Sequence, residues 1–309
     1  MYKKNKTINK DFLLLGFENI QNFKGLLFFL FFILYCLTII GNLLIIFLVC
    51  VSYQVQSPMY FLLSHLSASD ILLTSTVIPN MLRVLLEEGS SIPVKSCLTQ
   101  FYVLCISTIA ECFLLMMMSY DRYLAICSPL RYTSIMDNNL CLSLAIVSWI
   151  LGITLPLIAV IPVFKLVFCG ANIIDHFYCD FAPLMELSCS DTYLVEMEVF
   201  MSSIPTVIIP FIFITVTYIY IFFTIIKIPS TTGRKKAFST CSSHLAVVSA
   251  YYGTLIIKYM VPFRGHSNDL NKAVSLLYTV FTPLFNPIIY SLRNQDIRIA
   301  MKKLFITKS

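Results

Sequence analysis

The fold follows from one stretch of sequence, Met116-Met117-Met118-Ser119-Tyr120-Asp121-Arg122-Tyr123-Leu124-Ala125-Ile126-Cys127. It closes the apolar run of residues 96–120 with an acid and an arginine side by side. A charge is costly in lipid hydrocarbon and cheap at the interface, so the pair marks the end of a membrane helix. Because Asp121 can hold Arg122 until another group draws it away, the two residues form a candidate conformational switch.

The composition of the 309-residue chain is that of a membrane protein, with 58% hydrophobic and only 12% charged residues. A soluble domain has roughly 25% charged residues. Crossing a bilayer takes about 20 apolar residues. Seven runs are long enough, and they are residues 25–52, 58–82, 96–120, 138–164, 199–226, 237–257 and 273–292. Since the backbone in lipid must satisfy its own hydrogen bonds, we predict an all-α membrane protein with a seven-transmembrane helix bundle.

The rest of the chain leaves room for a single domain. We expect an extracellular tail (1–24), the helix bundle (25–292) and a cytoplasmic tail (293–309). The cytoplasmic tail has an apolar helical face between basic residues, formed by Ile297, Met301, Leu304 and Phe305. This pattern predicts a short interfacial helix on the inner leaflet. No soluble catalytic or DNA-binding domain fits between the spans. The net charge of +6 therefore indicates the lipid bilayer and cytoplasmic partners rather than nucleic acid.

Orientation has to be read from signals other than the basic residues. The 22 lysines and arginines divide equally between the two predicted sides, so the positive-inside rule does not decide. Asn5 begins an Asn-Lys-Thr glycosylation acceptor, which is used only on the lumenal side. Cysteines in loops suit an oxidising compartment. The loop cysteines fall on the side of Asn5, and they are Cys97, Cys169, Cys179 and Cys189. We therefore predict an extracellular N-terminus. Sequence alone does not give the disulfide pairing, because four cysteines allow three arrangements.

Two carboxylates lie near the middle of their spans, Asp70 in the second and Glu111 in the third. Burying each of them in the membrane costs at least about 2.5 kcal/mol, so each needs a proton, a cation or a donor. Asn42 and Asn286 lie at similar depth in other spans. These four residues predict either one polar pocket that holds water and a sodium ion or a purely structural hydrogen-bonded cluster.

A proline break in the last span lies beside an amide, in Asn286-Pro287-Ile288-Ile289-Tyr290. Membrane helices tolerate such breaks when neighbouring groups satisfy the freed carbonyl. By itself the pattern fits a packing kink. Together with Asp70 and the acid–arginine pair, it indicates a bundle with two arrangements.

These motifs resemble those of the rhodopsin-like G-protein-coupled receptors, and within them the odorant receptors. The resemblance covers nearly the whole chain in the right order. Its matching stretches are residues 12–17, 58–62, 66–70, 119–127, 236–245 and 283–294. Departures are small, with Phe285 where the family usually has leucine and Thr217 where it usually has serine.

The resemblance implies disulfides between Cys97 and Cys179 and between Cys169 and Cys189. It also implies a plasma-membrane receptor, and no enzyme, that activates an olfactory-type stimulatory G protein and raises cyclic AMP. The implied switch opens a cytoplasmic crevice, and its residues are Asp121, Arg122, Tyr123, Tyr218, His244, Asn286, Pro287 and Tyr290. His176, Cys179 and Asp180 look like a metal-binding trio, but a disulfide at Cys179 removes its thiolate, so we predict no metal site.

By similarity, a ligand pocket lies between the outer halves of spans three, five, six and seven. Its positions are Leu104, Cys105, Thr108, Ile109, Ser202, Ser203, Thr206, Tyr252, Leu255, Ile256, Tyr259, Tyr278 and Thr279. Most are apolar, which suits a small volatile odorant oriented by one or two hydrogen bonds. Leu104 stands where amine receptors carry an aspartate, so a cationic amine is not expected there. Each hydroxyl could instead bond to its own helix.

Rival classes leave different signatures. A retinal protein would need a lysine in residues 273–292, which hold none, and the His-Glu-x-x-His motif of a metalloprotease is absent. An ion channel or transporter that uses Asp70 and Glu111 remains the alternative, since membrane-buried acids also mark ion paths. Sequence does not identify the odorant or the oligomeric state.

Overall fold

A computed structural model describes residues 10–16, 23–87, 89–260, 268–293 and 295–306. Among these residues the fold is helical, with a small sheet at one end. The helices are α1 (Lys24–Val51), α2 (Pro58–Leu86), α3 (Val94–Cys127), α4 (Pro129–Ile135), α5 (Asn138–Phe164), α6 (Phe181–Glu186), α7 (Tyr193–Ser203), α8 (Ile209–Lys227), α9 (Thr231–Met260), α10 (Asn268–Leu276), α11 (Thr282–Arg293) and α12 (Gln295–Ile306).

Seven spans emerge from these helices, which confirms the predicted bundle. They are α1, α2, α3, α5, the continuous rod of α7 and α8, α9, and the rod of α10 and α11. Six of them are long and apolar enough to cross a membrane by length and composition. The other, α9, has 30 residues, but its first turns carry Arg234, Lys235 and Lys236 and so extend beyond the apolar run.

The third span is longer than its apolar run. It continues to Cys127, because Leu124, Ala125 and Ile126 maintain the apolar pattern and the first helix breaker is Pro129. At about 1.5 Å per residue, its 34 residues extend about 51 Å, longer than a bilayer core. Asp121 and Arg122 therefore lie within the helix rather than at its end. One rod thus runs the length of the bundle, with Cys97 near one end and Arg122 near the other.

Spans five and seven each contain one π-helical turn. Residues Ile204–Ile208 form the turn in span five, where Pro205 lacks the N–H of a regular helix. Residues Leu277–Phe281 form the turn in span seven, where the hydroxyl of Thr282 donates to the carbonyl of Leu277 (3.0 Å). Such turns are frequent at functional sites. Both contain predicted pocket positions, Thr206 in the first and Tyr278 and Thr279 in the second.

Small residues allow close helix contacts at two places in the bundle. A Cβ added at Gly152 of α5 would lie 3.0 Å from the Cβ of Ala110 and from the carbonyl oxygen of Ile106 in α3. A Cβ at Gly41 of α1 would lie 3.2 Å from Pro287 of α11. Real Cβ atoms rarely come so close, so larger residues would push these helices apart.

A three-stranded sheet forms near the N-terminal end of α3, where the sequence predicted only tail and loops. Its strands are β1 (Asp11–Leu14), β2 (Ser90–Pro93) and β3 (Ile173–Ile174), with β1 in the centre. β1 pairs antiparallel with β2 and parallel with β3. Phe12 and Leu14 of β1 are buried, which explains the apolar character of this tail segment. The expected boundary of the bundle at residue 25 therefore leaves out an ordered part of the tail.

The predicted interfacial helix is α12, which begins directly after the last span. Ile297 is buried and Met301 packs against the core, as the amphipathic pattern predicts. The hydroxyl of Tyr60 in α2 donates to the carboxylate of Asp296 (2.9 Å), which fixes the helix to the bundle. The side chains of Leu304 and Phe305 lie outside the described part.

Candidate functional site

The loop of residues 165–192 between α5 and α7, called the outer loop, has both of the disulfides that the family resemblance implied. The first joins the loop to α3, and the second links two residues of the loop itself. Cys97 at the start of α3 is joined to Cys179, with 5.5 Å between the Cα atoms. Cys169 is joined to Cys189, with 5.9 Å between the Cα atoms. Gln100 strengthens the first link, because its Oε1 accepts from the backbone N–H of Cys179 (3.0 Å). The residues that follow Cys179 are thereby placed over the outer end of α3.

The predicted pocket positions of spans three, six and seven are brought together. Leu104, Leu255 and Tyr278 are fully buried, and the hydroxyls of Thr108 and Tyr278 hydrogen-bond to each other. The hydroxyl of Tyr252 donates to the carbonyl of Cys112 (3.0 Å), which ties span six to span three. Thr206 and Thr279 are buried too, whereas Cys105, Ile109, Ser202, Ser203 and Ile256 are partly buried. The side chain of Tyr259 lies outside the described residues.

Most predicted pocket hydroxyls donate to their own helix. Thr108 bonds to the carbonyl of Leu104 (2.7 Å), Thr206 to that of Ser202 (2.8 Å) and Thr279 to that of Ser275 (2.8 Å). Ser202 and Ser203 do the same with carbonyls three residues earlier. Of the two readings left open for these hydroxyls, back-bonding is the one that the structure shows. Their protons are already used, so a polar anchor for a ligand has to be sought elsewhere.

A lysine that the sequence placed outside the membrane is buried among these residues. Lys258 is 2% exposed, and its Nζ lies 3.0 Å from Oδ2 of Asp180, which is 1% exposed. The sequence reading ended span six at Ile257 because a charge follows, but α9 continues through Lys258 to Met260. The helical spacing could have revealed the position, since Tyr251, Leu255 and Lys258 fall on one face.

The ammonium group of Lys258 has a polar and aromatic environment. It donates to the hydroxyl of Tyr178, lies 3.4 Å from the Oγ of Ser275, and lies 5.0 and 5.3 Å from the ring centroids of Tyr178 and Tyr278. Asp180 accepts at Oδ1 from the backbone N–H of Phe181 (2.9 Å) and so caps α6. The ion pair therefore joins the outer loop to spans six and seven.

Burial and neighbouring charges shift the pKa values of two groups in the outer loop, Asp180 and His176. Burial alone would raise the pKa of Asp180, but the ammonium of Lys258 and the hydrogen bonds that the carboxylate accepts together hold that pKa below its usual value. Burial lowers the pKa of His176 to about 3. His176 therefore accepts at Nδ1 from the backbone N–H of Phe177 (3.1 Å) as a neutral ring. Among the described residues there is no cluster able to hold a metal ion, and Cys179 and Asp180 are committed elsewhere.

A second lysine–aspartate pair joins the same loop to span seven nearer the surface. Lys272 of α10 contacts Asp175, and their side chains are 13% and 41% exposed. Because this pair is more exposed to solvent than the Lys258–Asp180 pair, it contributes less to stability. It provides a matched reference for the buried pair.

The predicted switch residues of spans three, five and six lie in hydrogen-bonded pairs. Nε of Arg122 donates to Oδ2 of Asp121 (2.9 Å), and the hydroxyl of Tyr132 in α4 donates to Oδ1 of the same carboxylate (2.8 Å). Sequence reasoning did not select Tyr132. The hydroxyl of Tyr218 hydrogen-bonds to Nδ1 of His244 (2.6 Å), linking spans five and six. Tyr123 packs edge-on against Tyr220 of span five.

Tyr290, predicted to move with this switch, is buried, and its hydroxyl has no hydrogen-bond partner within the described part of the chain. It lies close enough to Arg122 for the two side chains to interact electrostatically. A buried hydroxyl without a partner costs free energy, which is recovered if it bonds in another arrangement.

The four membrane-buried polar residues lie between these two ends of the bundle. Nδ2 of Asn286 donates to both oxygens of Asp70 (3.1 and 3.0 Å), and Nδ2 of Asn42 donates to the carbonyl of Pro283 (3.1 Å). Asp70 also interacts electrostatically with Glu111. Within the described residues, neither carboxyl oxygen of Glu111 has a hydrogen-bond partner. The nearby hydroxyls of Ser69 and Tyr251 donate instead to backbone carbonyls of α3.

Together these features define a multi-pass membrane protein of the seven-helix receptor class. Comparison with known proteins gives the family. The olfactory receptor family profile matches residues 31–308. Human olfactory receptor 11L1 is 46% identical over 100% of this chain and 96% of its own length. Human olfactory receptor 1J4 is 45% identical and mouse olfactory receptor 1E16 is 42% identical, each over 99% of this chain and 97% of its own length. The chain belongs to the olfactory receptor family, a family of receptors rather than enzymes.

Proposed function

We propose that this protein is a plasma-membrane odorant receptor that couples a volatile ligand to an olfactory-type stimulatory G protein and so raises cyclic AMP. The observation that supports this best is the reach of α3. Its outer half carries Leu104 and Thr108 of the pocket, and its inner half carries Arg122 of the switch. The single helix α3 therefore contacts both the ligand pocket and the switch, so a movement of α3 at one site also moves it at the other.

The ligand site that we propose lies between spans three, five, six and seven, under the disulfide-linked loop. The buried residues there are mostly apolar, which favours a small, mostly apolar molecule. The two π-helical turns, which contain Thr206 and Tyr278, are places where a helix can change register at low cost. Ligand binding would use them to shift the inner parts of spans five and seven.

The activation step that we propose is the exchange of partners at the cytoplasmic end. In the closed arrangement Asp121 holds Arg122, and His244 holds Tyr218. Loss of both contacts would free Arg122, Tyr218 and Tyr290 to line a crevice for the G protein. The hydroxyl of Tyr290 gains a partner in that arrangement, which offsets part of the cost.

We also propose a sodium site at Asp70 and Glu111, where two carboxyl groups meet in the membrane. Donors among the described residues reach Asp70 but not Glu111, so a cation would satisfy the oxygens that remain. The site would stabilise the resting arrangement. Glu111→Gln should therefore remove any dependence of resting cyclic AMP on sodium, and unchanged sodium dependence would contradict the assignment.

The extracellular N-terminus remains a proposal based on Asn5 and the loop cysteines. Asn5 lies outside the described residues. A glycosidase-sensitive shift in mobility, lost in Asn5→Gln, would test this orientation directly.

The experiment that tests the function is a cyclic AMP screen of volatile compounds with surface expression measured in the same cells. At least one compound should raise cyclic AMP in the native receptor, and Arg122→Ala should lose that response at equal surface expression. Steady current across a membrane that contains this protein alone would favour the channel alternative instead.

A further inference from the structure

We propose that the buried Lys258–Asp180 pair is the polar anchor of the ligand pocket and selects neutral odorants that carry a carbonyl oxygen. This inference rests on the proposed pocket and names the chemistry of its ligand. The anchor is the ammonium group of Lys258, and Asp180 is its fixed counter-ion.

The position of the pair connects it to the predicted pocket. The Nζ of Lys258 lies 5.3 Å from the ring centroid of Tyr278, whose hydroxyl bonds to Thr108. Cys105, another predicted position, lies close enough to interact electrostatically with both Lys258 and Asp180. The pair thus borders the pocket on its outer side.

Stability alone does not account for a buried ion pair. Removing two charges from water costs about as much as their attraction returns, and apolar residues of similar volume are often as stable or more so. This pair is nonetheless almost fully buried and surrounded by hydroxyls and aromatic rings. Such a costly arrangement at a pocket wall is typical of groups that recognise a ligand.

The charges of the pair define which ligands fit. Lys258 and Asp180 sum to zero, so an ionised acid or amine would bring an uncompensated charge into a buried site. A neutral molecule with a dipole adds no such charge and gains from the field between the two groups. The pair therefore favours neutral polar odorants over ionised ones.

Of the two charged groups, the lysine is the one that we expect to meet the ligand. Oδ1 of Asp180 accepts from the backbone N–H of Phe181, and Oδ2 faces Lys258 and the hydroxyl of Tyr178 (3.4 Å). Among the hydrogen bonds described for the ammonium, the longest is the one to Ser275, at 3.4 Å. A ligand oxygen at the usual distance of about 2.9 Å would replace that contact favourably. Aldehydes and ketones supply an acceptor without a proton of their own, which matches an ammonium donor.

The test is a cyclic AMP potency series over compounds of equal carbon number: an aldehyde, a methyl ketone, a primary alcohol, a carboxylic acid, an amine and a hydrocarbon. Each is applied to the native receptor and to Lys258→Met, Lys258→Arg and Lys272→Met. Lys272→Met is the matched control, because it removes a lysine from the wetter pair of the same loop. The double variant Lys258→Met with Asp180→Asn removes both charges and so avoids a lone buried carboxylate.

The native receptor should respond best to the carbonyl compounds. Lys258→Met and the double variant should lose at least tenfold in potency for them while any hydrocarbon response stays within threefold. Lys258→Arg should retain the preference, and Lys272→Met should match the native ranking.

If the double variant reaches the surface normally and still prefers carbonyl compounds, the anchor is overturned. The proposed receptor function would still hold in that case, provided that the response continues to depend on Arg122. A native receptor that prefers the acid or the amine would also overturn the anchor. A native receptor at the surface that responds to no volatile compound in a broad screen would reject the receptor function itself.

Discussion

Among the residues that the structure describes, one buried ion pair lies at each end of the bundle, and the two differ in what they connect. Asp121 and Arg122 are neighbours on α3, with side chains 0% and 14% exposed. Lys258 and Asp180 come from α9 and from the outer loop, and their side chains are 1% and 2% exposed. Breaking the inner pair redirects one side chain within a helix. Breaking the outer pair separates two elements, so the outer pair should matter for assembly and the inner pair for signalling.

The largest effect should come from removing the counter-ion of Lys258, which leaves a lone buried ammonium. Asp180→Ala leaves the ammonium of Lys258 buried without its counter-ion, which costs about 3–5 kcal/mol. We expect most of the protein to stay inside the cell, measured by surface staining. The double variant Lys258→Met with Asp180→Asn is the control and should recover surface delivery. Native-like staining of Asp180→Ala would show that the ion pair does not hold α9 and the outer loop together.

The next largest effect is the pH dependence of the stability of the outer loop. The pKa of His176 falls from 6.5 to about 3 in the folded loop, so below about pH 6.5 an opened loop binds a proton that the folded loop does not. Stability is therefore lost as the pH falls, by about 2 kcal/mol at about pH 5. The carboxylate of Asp180 stays charged there, because its pKa is lowered below its usual range.

Thermal unfolding of detergent-solubilised receptor at about pH 7.5 and about pH 5 measures this effect. His176→Asn keeps an acceptor for the backbone N–H of Phe177 without titrating in this range. It should flatten the pH dependence, and an equally steep dependence in that variant would assign the effect to another group.

At the end of the bundle that carries Arg122, a smaller energetic change should have a measurable effect on signalling. His244→Phe keeps the aromatic ring beside Tyr218 but removes a hydrogen bond worth about 1 kcal/mol. A change of this size shifts the resting equilibrium about fivefold, so resting cyclic AMP should rise. Tyr220→Phe, on a tyrosine that is 59% exposed, is the control. Equal resting output in both variants would remove His244 from the switch.

The smallest effect is expected at the wetter pair of the outer loop. Lys272→Met removes an ion pair whose aspartate side chain is 41% exposed, and such pairs contribute under about 1 kcal/mol. Surface delivery should stay near the native level. A loss as large as that of Asp180→Ala would mean that both pairs fix the loop, rather than the buried one alone.

The features that the sequence predicted best are those with a local signal. Apolar runs long enough to cross a bilayer predicted the seven spans, and adjacency made the Asp121–Arg122 pair visible. The disulfide pairing came from the family resemblance, since four cysteines alone allow three arrangements. Asn42, Asp70 and Asn286 could be grouped because each is a rare polar residue at mid-membrane depth.

The features that escaped prediction depend on contacts between distant segments. A lysine after an apolar run normally marks the membrane surface. Lys258 is buried because distant groups meet its ammonium, among them the loop carboxylate of Asp180. The sheet at the outer end is built from three segments of two to four residues, too short for a periodic signal. The π-helical turn of span five contains Pro205, but a proline does not by itself specify the register that a helix adopts. The turn of span seven contains no proline.

The central place of β1 in the outer sheet sets an order of events during synthesis. The ribosome releases this strand first, yet its neighbours β2 and β3 follow about 80 and about 160 residues later, at roughly 5–20 residues per second. With the extracellular N-terminus that we propose, the head of the chain waits for many seconds on the far side of the membrane before it can be enclosed. Closure of the outer end is thus a late step of biogenesis, and quality control has that interval to recognise an unfinished receptor.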